Sequence, residues 1–587
     1  MKLTRASHHV LIEARQYTAR LETESTPGLL ITREGRNMLR LPLAAGLGTP
    51  EAEEGLSEVR LDSCEPAGDE VIIKASAASD LWSNRAFRWT LSEEGIEFQH
   101  FASGKGALGR CHFFSDRALS GWGDPTDPGA EHHATIYPRE VFTPRVNHAN
   151  TFYQDATMPQ SLGVRNEMAN IVFFEMSIMG AYLPEQMARL FCPPPLWLAF
   201  GSGSAWAGVG LGERPGQYRF NALDFSGARS GGATFHVNYN GYRQLDGDFA
   251  SPVLAIHFGF SPFEALERYI GWIDRQGFGT QRPYPNAAWQ REPVFCGWAE
   301  QTVLSKTTGV TAAEACTQAN YEKWLAAVEA RGIPFGTVVI DDKWMREYGT
   351  LEIDAAKWPD LPGFIAAQHA KGRHVVLWIP GHHAEGIDEA WCVKVDEMLA
   401  GADAGNPDYE AFLRKQIRRL IVDVGADGFK EDWIAGLTTE PGAQMANPAI
   451  YGIEALRRWQ WIVYDEAHKH KPDAFIESQT PNPLFRESSD VLRLNDLFPG
   501  TRDVPEVMRT RARIARLAGW ELVDTDNASS TTLQEWWDYA QVQPQLGIPA
   551  LYFVDRTEST LESPSEAQWH FLADLWKQYR KDWGLDR

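Results

Sequence analysis

The sequence lacks the features of a disulfide-rich, metal-ribbon or membrane protein. Its six cysteines, at positions 64, 111, 192, 296, 316 and 392, form no CxxC pair, so neither a disulfide framework nor a zinc ribbon is indicated. No run of about eighteen apolar residues occurs, and the N-terminus carries no apolar stretch with a small-residue cleavage site. We therefore expect buried thiols in a soluble, cytoplasmic protein that does not bind membranes.

Positive charge is also scarce. The 587 residues include 56 Lys and Arg against 78 Asp and Glu, a net charge of −22 that repels phosphate backbones, so nucleic acid is not expected as a partner. The 43% apolar and 23% charged residues are typical of a globular protein and exclude a collagenous, disordered or coiled-coil chain. At this length we expect at least two domains.

Tryptophan, in contrast, is abundant, with 22 residues. Indole rings pack well in cores and interfaces, and they also stack on the apolar faces of sugars, so both interpretations stay open. A tryptophan-rich surface is compatible with a homo-oligomer.

The first half of the chain has the pattern of antiparallel strands. Short runs of alternating apolar and polar residues are separated by Gly, Pro, Asn and Asp, a period-two pattern that predicts a β-sandwich. Such runs begin at Glu70, Phe87, Gly95, Ile171 and Ala233.

A helical segment from Pro262 and a polar, proline-bearing stretch follow the sandwich. We accordingly predict a sandwich domain at 1–275, a linker at 276–292 and a second domain at 293–587.

The second domain alternates short β-rich runs with long amphipathic stretches. In one stretch the apolar residues from Leu413 to Val424 fall on a single helical stripe. Eight βα units predict a (β/α)₈ TIM barrel, closed by a helix from Ala567 to about Trp583. The eight candidate strands are Val294–Trp298, Thr337–Asp341, His374–Ile379, Gly428–Asp432, Ala474–Glu477, Val491–Asp496, Glu521–Asp524 and Ala550–Val554.

Active residues of TIM barrels lie at the C-terminal ends of the strands. Here strands two to six end in acids, a lysine, an arginine and tryptophans. Single acids often cap helices and single tryptophans often plug barrel rims, but capping has no use for the Lys, Arg and Trp side chains. The residues concerned are Asp341, Asp342 and Trp344 on strand two, Trp378 on strand three, Lys430, Asp432 and Trp433 on strand four, Glu477 to Gln479 on strand five, and Arg493 and Asp496 on strand six.

Two carboxylates on different strands, facing one pocket with indole walls, are what glycoside hydrolysis requires. Asp432 and Asp496 form the best pair. Lys430 faces the same side of strand four as Asp432 and is predicted to keep it ionised while binding a sugar hydroxyl. Arg493 has an odd spacing from Asp496, so both face the pocket only if the strand end kinks or forms a loop.

The barrel resembles the α-retaining glycosidase clan of glycoside hydrolase families 27, 31 and 36, in which a β-sandwich precedes the barrel in the last two. Val338-Val-Ile-Asp-Asp-Lys-Trp344 is similar to the strand-two motif whose acids bind sugar hydroxyls. Asp427-Gly-Phe-Lys-Glu-Asp432 resembles the motif in which Asp is the nucleophile and Lys binds sugar. The segment from Val491 resembles strand six of raffinose-synthase-like members of family 36, where Arg binds substrate and the following Asp is the acid/base.

The resemblance, strongest to family 36 and family 31, implies further roles. Trp298 and Trp378 occupy positions where the clan places pocket aromatics, and Trp344 and Trp433 are counted with them as substrate-binding. The implied activity is that of a retaining, exo-acting α-glycosidase of α-galactosidase type, with an α-glucosidase or a transglycosidase as alternatives. Asp524 and Asp526 are the reserve candidates for the acid/base. No cofactor is implied, because hydrolysis of an acetal moves no electrons.

The sequence offers two further interpretations. A metal-dependent hydrolase would use His382 and His383 with Asp341 and Asp432, but the His-x-His expected at the end of strand one is absent, so no metal is predicted. An inactive glycan-binding barrel would need neither the Lys-x-Asp motif nor an acid on strand six. Two adjacent acids on strand two suit neutral hydroxyls and disfavour anionic sugars, but axial and equatorial 4-hydroxyls both satisfy them. The resemblance to family 36 implies galactose as the first candidate.

Overall fold

A computed structural model describes residues 1–23, 27–115, 134–144, 152–157, 160–164, 193–228, 231–434, 442–497, 501, 503–526 and 532–585. Antiparallel sheets form the N-terminal part and a parallel barrel forms the C-terminal part. The predicted strand that begins at Ile171 lies outside the described residues. Among the helices of the described ranges, none is long and apolar enough to cross a membrane.

In the described residues of the N-terminal part, the strands form two antiparallel sheets of ten strands each. Alternation of buried and exposed residues along the strands, as in Asn84–Leu91, directs one face of each sheet into a shared apolar core. The first sheet contains β1 (Lys2–Arg5), β2 (His9–Glu13), β3 (Thr18–Glu22), β4 (Gly28–Arg33), β5 (Arg36–Pro42), β10 (Arg110–His112), β11 (Ala134–Ile136), β14 (Gln160–Gly163), β17 (Ala222–Gly227) and β18 (Gly232–Asn238). The second contains β6 (Leu56–Ala67), β7 (Glu70–Ser79), β8 (Asn84–Leu91), β9 (Ile96–Ala107), β12 (Glu140–Phe142), β13 (Tyr153–Asp155), β15 (Trp197–Ser202), β16 (Ala205–Gly212), β19 (Gln244–Ala250) and β20 (Val253–Gly259).

The C-terminal part is an eight-stranded parallel barrel, and the predicted fold class is confirmed. All eight predicted strands are present in the predicted order, although several are shorter than the sequence pattern suggested. A parallel bridge between Asp524 and Ile548 joins the two ends of the sheet and nearly closes it. The barrel strands are β21 (Val294–Cys296), β22 (Thr337–Ile340), β23 (His374–Pro380), β26 (Gly428–Asp432), β27 (Phe475–Ser478), β28 (Val491–Arg493), β29 (Val523–Asp524) and β30 (Ala550–Leu551). A hairpin of β24 (Cys392–Val395) and β25 (Met398–Ala402) follows β23.

Helices link the sandwich to the barrel and surround the barrel. Their N-termini are capped mainly by Ser, Thr, Asn and Asp side chains, as at Ser261 and Thr532. The helices are α1 (Pro262–Gln276), α2 (Trp298–Thr308), α3 (Ala312–Ala315), α4 (Gln318–Ala330), α5 (Leu361–His369), α6 (Pro407–Arg419), α7 (Ile453–His470), α8 (Val504–Leu517), α9 (Leu533–Ala540), α10 (Gln543–Leu546) and α11 (Glu566–Asp582). A π-helical turn (Leu420–Val424) extends α6, and short 3₁₀ turns cover Ala288–Arg291, Glu389–Trp391 and Pro483–Ser488.

The segment predicted as a linker is packed against the barrel. Thr280 donates to the carbonyl oxygen of Leu484, and the Asn286 amide donates to that of Asp490. Gln290 is buried and donates to the Ala474 carbonyl oxygen at 2.6 Å, just before β27 begins. The division of the chain at 276–292 stays a prediction.

Gly428 lets β26 approach β27 closely. A Cβ at this position would collide with the backbone of Phe475, so only glycine fits there. The start of β26 is thereby fixed, and with it the positions of Lys430 and Asp432 further along the strand.

The N-terminal rim of the barrel is held by a buried carboxylate, Asp427. It accepts hydrogen bonds from the Val375 N–H and from His369, both at 2.7 Å, and Lys471 lies 3.3 Å away. Burial alone would raise the pKa of Asp427, but the nearby His374 ring and the hydrogen bonds from Val375 and His369 outweigh it and lower the pKa to about 2.

Asp427→Asn should therefore destabilise the protein by about 1–3 kcal/mol at neutral pH. Because the folded-state pKa is depressed, the stabilisation is present above the unfolded pKa of about 3.9 and is lost as the pH falls towards 2. Urea unfolding at pH 7 and pH 3 measures this difference. Asp423→Asn, an exposed change in the same connection, serves as the control and should leave stability unchanged. Equal destabilisation at both pH values would contradict the prediction.

Candidate active site

The polar side chains predicted for the site come together at the C-terminal rim of the barrel. β22 ends directly before Asp341, β26 ends at Asp432 and β28 ends at Arg493. The strands β22, β23, β26, β27 and β28 are successive neighbours in the parallel sheet, so their ends share one rim.

Lys430 forms a buried ion pair with Asp341. Its ammonium lies 2.7 Å from Asp341 Oδ2, and the Cys296 thiol donates to the same oxygen at 3.1 Å. Burial opposes the charge, but the Asp341 carboxylate outweighs it and raises the pKa of Lys430 well above its usual value. Lys430 is therefore a cation, and the carboxylate of Asp341, which follows β22, balances its charge.

Four donors converge on Asp432. Gln479 Nε2 donates to Oδ1 at 2.6 Å, Arg493 Nη2 lies 3.2 Å from Oδ1, and Trp378 Nε1 donates to Oδ2 at 3.0 Å. The N–H of Trp433 adds a bond to Oδ1 at 3.0 Å. Such donors stabilise an ionised carboxylate, the form that attacks carbon. Among the described residues, Arg493 is the cation in contact with Asp432, whereas Lys430 pairs with Asp341; this corrects the expectation that Lys430 holds Asp432 in its ionised form.

Arg493 contacts both predicted catalytic carboxylates. Asp432 lies at Nη2, while Asp496 Oδ1 lies 3.2 Å from Nη1. The odd spacing is accommodated because β28 ends at Arg493 and Asn495 adopts a left-handed conformation with φ of 71°. The chain thus turns after Arg493, and this turn brings the Asp496 carboxylate into contact with the Arg493 guanidinium.

The two reserve acids differ from Asp496 in exposure. The Asp496 side chain is 43% exposed, whereas Asp526, 2.8 Å from Arg493, is completely buried. Asp524 is also buried, and burial together with the neighbouring Asp526 raises its pKa to about 7. A general acid/base must exchange protons with the leaving group and water. The exposure of Asp496 therefore favours it over the buried Asp524 and Asp526 for this role.

Asp342 lies close to Asp432 and is held by a residue that the sequence did not single out. The Tyr348 hydroxyl donates to Asp342 Oδ2 at 3.2 Å. Burial raises the pKa of Asp342 to about 7, the negative charges of Asp341 and Asp432 add to this, and the Tyr348 hydrogen bond opposes it. Asp342 can therefore donate to or accept from a sugar hydroxyl near neutral pH.

Aromatic rings form one wall of the site. The Trp433 ring lies 5.3 Å from the Trp378 ring and 5.4 Å from that of Tyr348, both at steep angles. Trp344 is completely buried and donates to the Trp378 carbonyl oxygen at 2.7 Å, so it supports the wall, and its predicted part in substrate binding stays a prediction. Trp298 is half-buried at the start of α2 and packs against the apolar core.

The two histidines considered as metal ligands follow β23. His382 is completely buried, and this burial lowers its pKa to about 3. His383 lies against the Tyr348 ring at 4.7 Å. Within the described residues, no three His, Cys, Asp or Glu side chains are arranged to hold a metal ion.

Sequence reasoning missed Gln479 and Tyr348 as site residues. The sequence pattern marks Gln479 only as the end of strand five, where an amide belongs to no catalytic motif. Tyr348 lies in the connection after β22, beyond the strand-end residues that the barrel rule selects. Their roles follow from contacts across the barrel, which residue spacing alone does not encode.

Comparison with known proteins supports the class of the barrel. Residues 303–471 match the family model described as the glycosyl hydrolases family 31 TIM-barrel domain. No curated protein matches the sequence. The match bears out the enzyme class predicted from the sequence, a glycoside hydrolase, while greater closeness to family 36 stays a prediction.

Solved structures share the architecture over nearly the whole chain. A family 31 sulfoquinovosidase from E. rectale has a TM-score of 0.58 at 11% identity, covering 99% of this chain and 83% of that one. A family 31 α-xylosidase from a soil metagenome has 0.51 at 10% identity, with coverage of 100% and 85%. The galactosidase domain of an α-galactosidase–sucrose kinase has 0.52 at 10% identity, with coverage of 99% and 86%. At these identities the likeness is one of fold.

Proposed function

We propose that the protein is a retaining, exo-acting α-glycosidase that hydrolyses α-glycosidic bonds by double displacement. The observation that carries this proposal is the single guanidinium of Arg493, which contacts Asp432 through one terminal nitrogen and Asp496 through the other. Two carboxylates on one cation lie close enough to act on the same bond, and retaining enzymes place them about 5–5.5 Å apart.

In the first step Asp432 attacks the anomeric carbon and forms a β-linked glycosyl ester. The bond to the leaving oxygen breaks, and Asp496 donates its proton to that oxygen. In the second step Asp496 removes a proton from water, which attacks the anomeric carbon and releases Asp432 as a carboxylate. The product keeps the α configuration.

Arg493 suits both steps. Through Nη2 it contacts the carboxylate that attacks in the first step, and through Nη1 it contacts Asp496, whose negative charge it stabilises when Asp496 acts as the base in the second step.

The buried acids of strand two support recognition of one terminal sugar. Asp341 with Lys430, and Asp342 with Tyr348, present acceptors and donors for adjacent hydroxyls. Because these groups are buried in the protein, a pocket that ends on them encloses a terminal residue, which is the basis for exo action. Galactose is our first candidate, and an α-glucosidase or a transglycosidase is the alternative.

A panel of aryl glycosides tests the function. We expect turnover of an aryl α-galactoside, α-glucoside or α-xyloside, and none of the matched β-anomers. Proton NMR of the first-formed sugar should show the α-anomer. Release of the β-anomer from an α-glycoside would contradict the retaining mechanism, and addition of an acceptor sugar identifies transglycosylation.

The charge of the site predicts selectivity for neutral sugars. Within the described residues each site cation faces a carboxylate, since Lys430 pairs with Asp341, Arg493 with Asp432, Asp496 and Asp526, and Lys343 with Glu385. A sulfonate or carboxylate at C6 would approach these acids, and among the described residues no site cation is left unpaired to receive it; like charges cost several kcal/mol. We therefore expect kcat/KM for an aryl α-sulfoquinovoside to be lower than for the α-glucoside by on the order of 100-fold. Faster cleavage of the anionic substrate would contradict this.

A further inference from the structure

We propose that Gln479 is a positioning residue that holds Asp432 through Oδ1 and leaves Oδ2 as the attacking oxygen. This inference rests on the proposed function. It assigns a role to Gln479, which follows β27, and gives the two oxygens of Asp432 different functions: Oδ1 is held by hydrogen bonds and Oδ2 attacks.

Gln479 is fixed in the structure. Its side chain is completely buried, and Nε2 lies 2.6 Å from Asp432 Oδ1. An ionised carboxylate only accepts hydrogen bonds, so the amide nitrogen must be the group that faces it. Among the described residues the amide oxygen has no hydrogen-bond partner, so the contact with Asp432 is what orients this side chain.

The donors are unequally shared between the two carboxylate oxygens. Oδ1 accepts from Gln479, from the Trp433 N–H and from Arg493, at 2.6, 3.0 and 3.2 Å. Within the described part of the chain, Oδ2 accepts only from Trp378, at 3.0 Å. An oxygen with three donors has its lone pairs engaged, whereas one with a single donor keeps a lone pair for the anomeric carbon.

The same arrangement suits the intermediate. When Oδ2 bonds to the anomeric carbon and the leaving oxygen departs with the proton from Asp496, Oδ1 becomes the ester carbonyl oxygen. Gln479 and Arg493 still donate to it, so the contacts made before attack need no rearrangement.

Gln479→Glu tests this role through the pH profile. The introduced carboxyl is nearly isosteric with the amide, but it donates to Asp432 only when protonated. Among the described residues, the charged or titratable groups near it or Asp432 are Arg493 from β28, Asp342 after β22 and Glu477 on β27. Burial keeps the pKa of Glu477 well above its usual value.

Relative to wild type, we expect near-normal kcat/KM for Gln479→Glu at pH 5 and a fall on the order of 10- to 100-fold by pH 8, because the donor is lost and two carboxylates then repel. Gln479→Ala should lose activity by a similar factor at every pH, mainly in kcat. The structure of a trapped glycosyl-enzyme should show the ester on Oδ2.

Gln290→Glu is the matched control, because Gln290 is equally buried and bonds to the backbone just before β27, at the opposite end of the barrel. It should keep the wild-type pH profile. A wild-type profile for Gln479→Glu, an equal shift in Gln290→Glu, or an ester on Oδ1 would overturn the inference. Covalent labelling of Asp432 in the wild-type enzyme distinguishes a failure of the proposed function from a failure of this inference. If Asp432 is not labelled, the proposed function is wrong. If it is labelled, the results for the variants bear only on the role of Gln479.

Discussion

Asp432→Asn is expected to lower kcat/KM by on the order of 10⁴-fold or more, the scale of loss seen when a covalent nucleophile is removed. The amide has almost the same shape as the carboxylate, so the surrounding donors are disturbed little. The amide at position 432 does not form a glycosyl ester during the assay. Initial rates on an activated aryl α-glycoside at saturating and low substrate concentrations measure the effect.

A small external nucleophile provides the positive control. In Asp432→Ala, azide should enter the space left by the carboxylate, restore turnover and give a glycosyl azide of inverted configuration. Near-normal turnover of Asp432→Asn without azide would contradict the assignment.

Glu431→Gln is the matched control on the same strand. Glu431 is buried and accepts from Gln460 on α7, and burial raises its pKa well above the usual value. Because burial favours the neutral form of Glu431, an amide should leave kcat/KM within about two- to threefold of wild type, as for a change with little electrostatic consequence.

Asp496→Ala should produce a loss that depends on the leaving group. An alcohol or sugar leaving group needs a proton, so we expect its hydrolysis to fall by on the order of 10³-fold, within the range of general acid catalysis. A dinitrophenyl leaving group departs without protonation, so its release should fall by less than about tenfold in the glycosylation step. Pre-steady-state release of the phenol separates this step from hydrolysis of the intermediate.

Equal losses on both substrates would contradict the assignment of Asp496. The same pair of substrates would then be applied to Asp526→Ala, since Asp526 also contacts Arg493. The buried position of Asp526 makes us expect it to affect both leaving groups alike, through the placement of Arg493.

The barrel could be predicted because each strand is a short apolar run between amphipathic helices, a pattern that local sequence carries in full. Strand ends were less certain. β28 stops at Arg493, although the apolar Leu494 continues the pattern, because Asn495 turns the chain into a left-handed conformation. Such a conformation depends on contacts made after folding, and the sequence shows only that asparagine tolerates it.

Within the site, the face of each strand was predictable but the pairing of charges was not. Alternation along β26 places Lys430 and Asp432 on one face. Which acid pairs with Lys430 depends on how closely the strands approach across the barrel, and there Asp341 is the partner. Gln479 reaches Asp432 in the same way, from a position that no motif marks.

The most direct test of the account is identification of the residue that becomes glycosylated. Wild-type enzyme is incubated with a 5-fluoro-α-glycosyl fluoride of the best substrate sugar, and its intact mass and peptic peptides are measured. We predict one added glycosyl group, attached to Asp432. A label on another carboxylate, or inverting hydrolysis of the substrate without any covalent adduct, would contradict it.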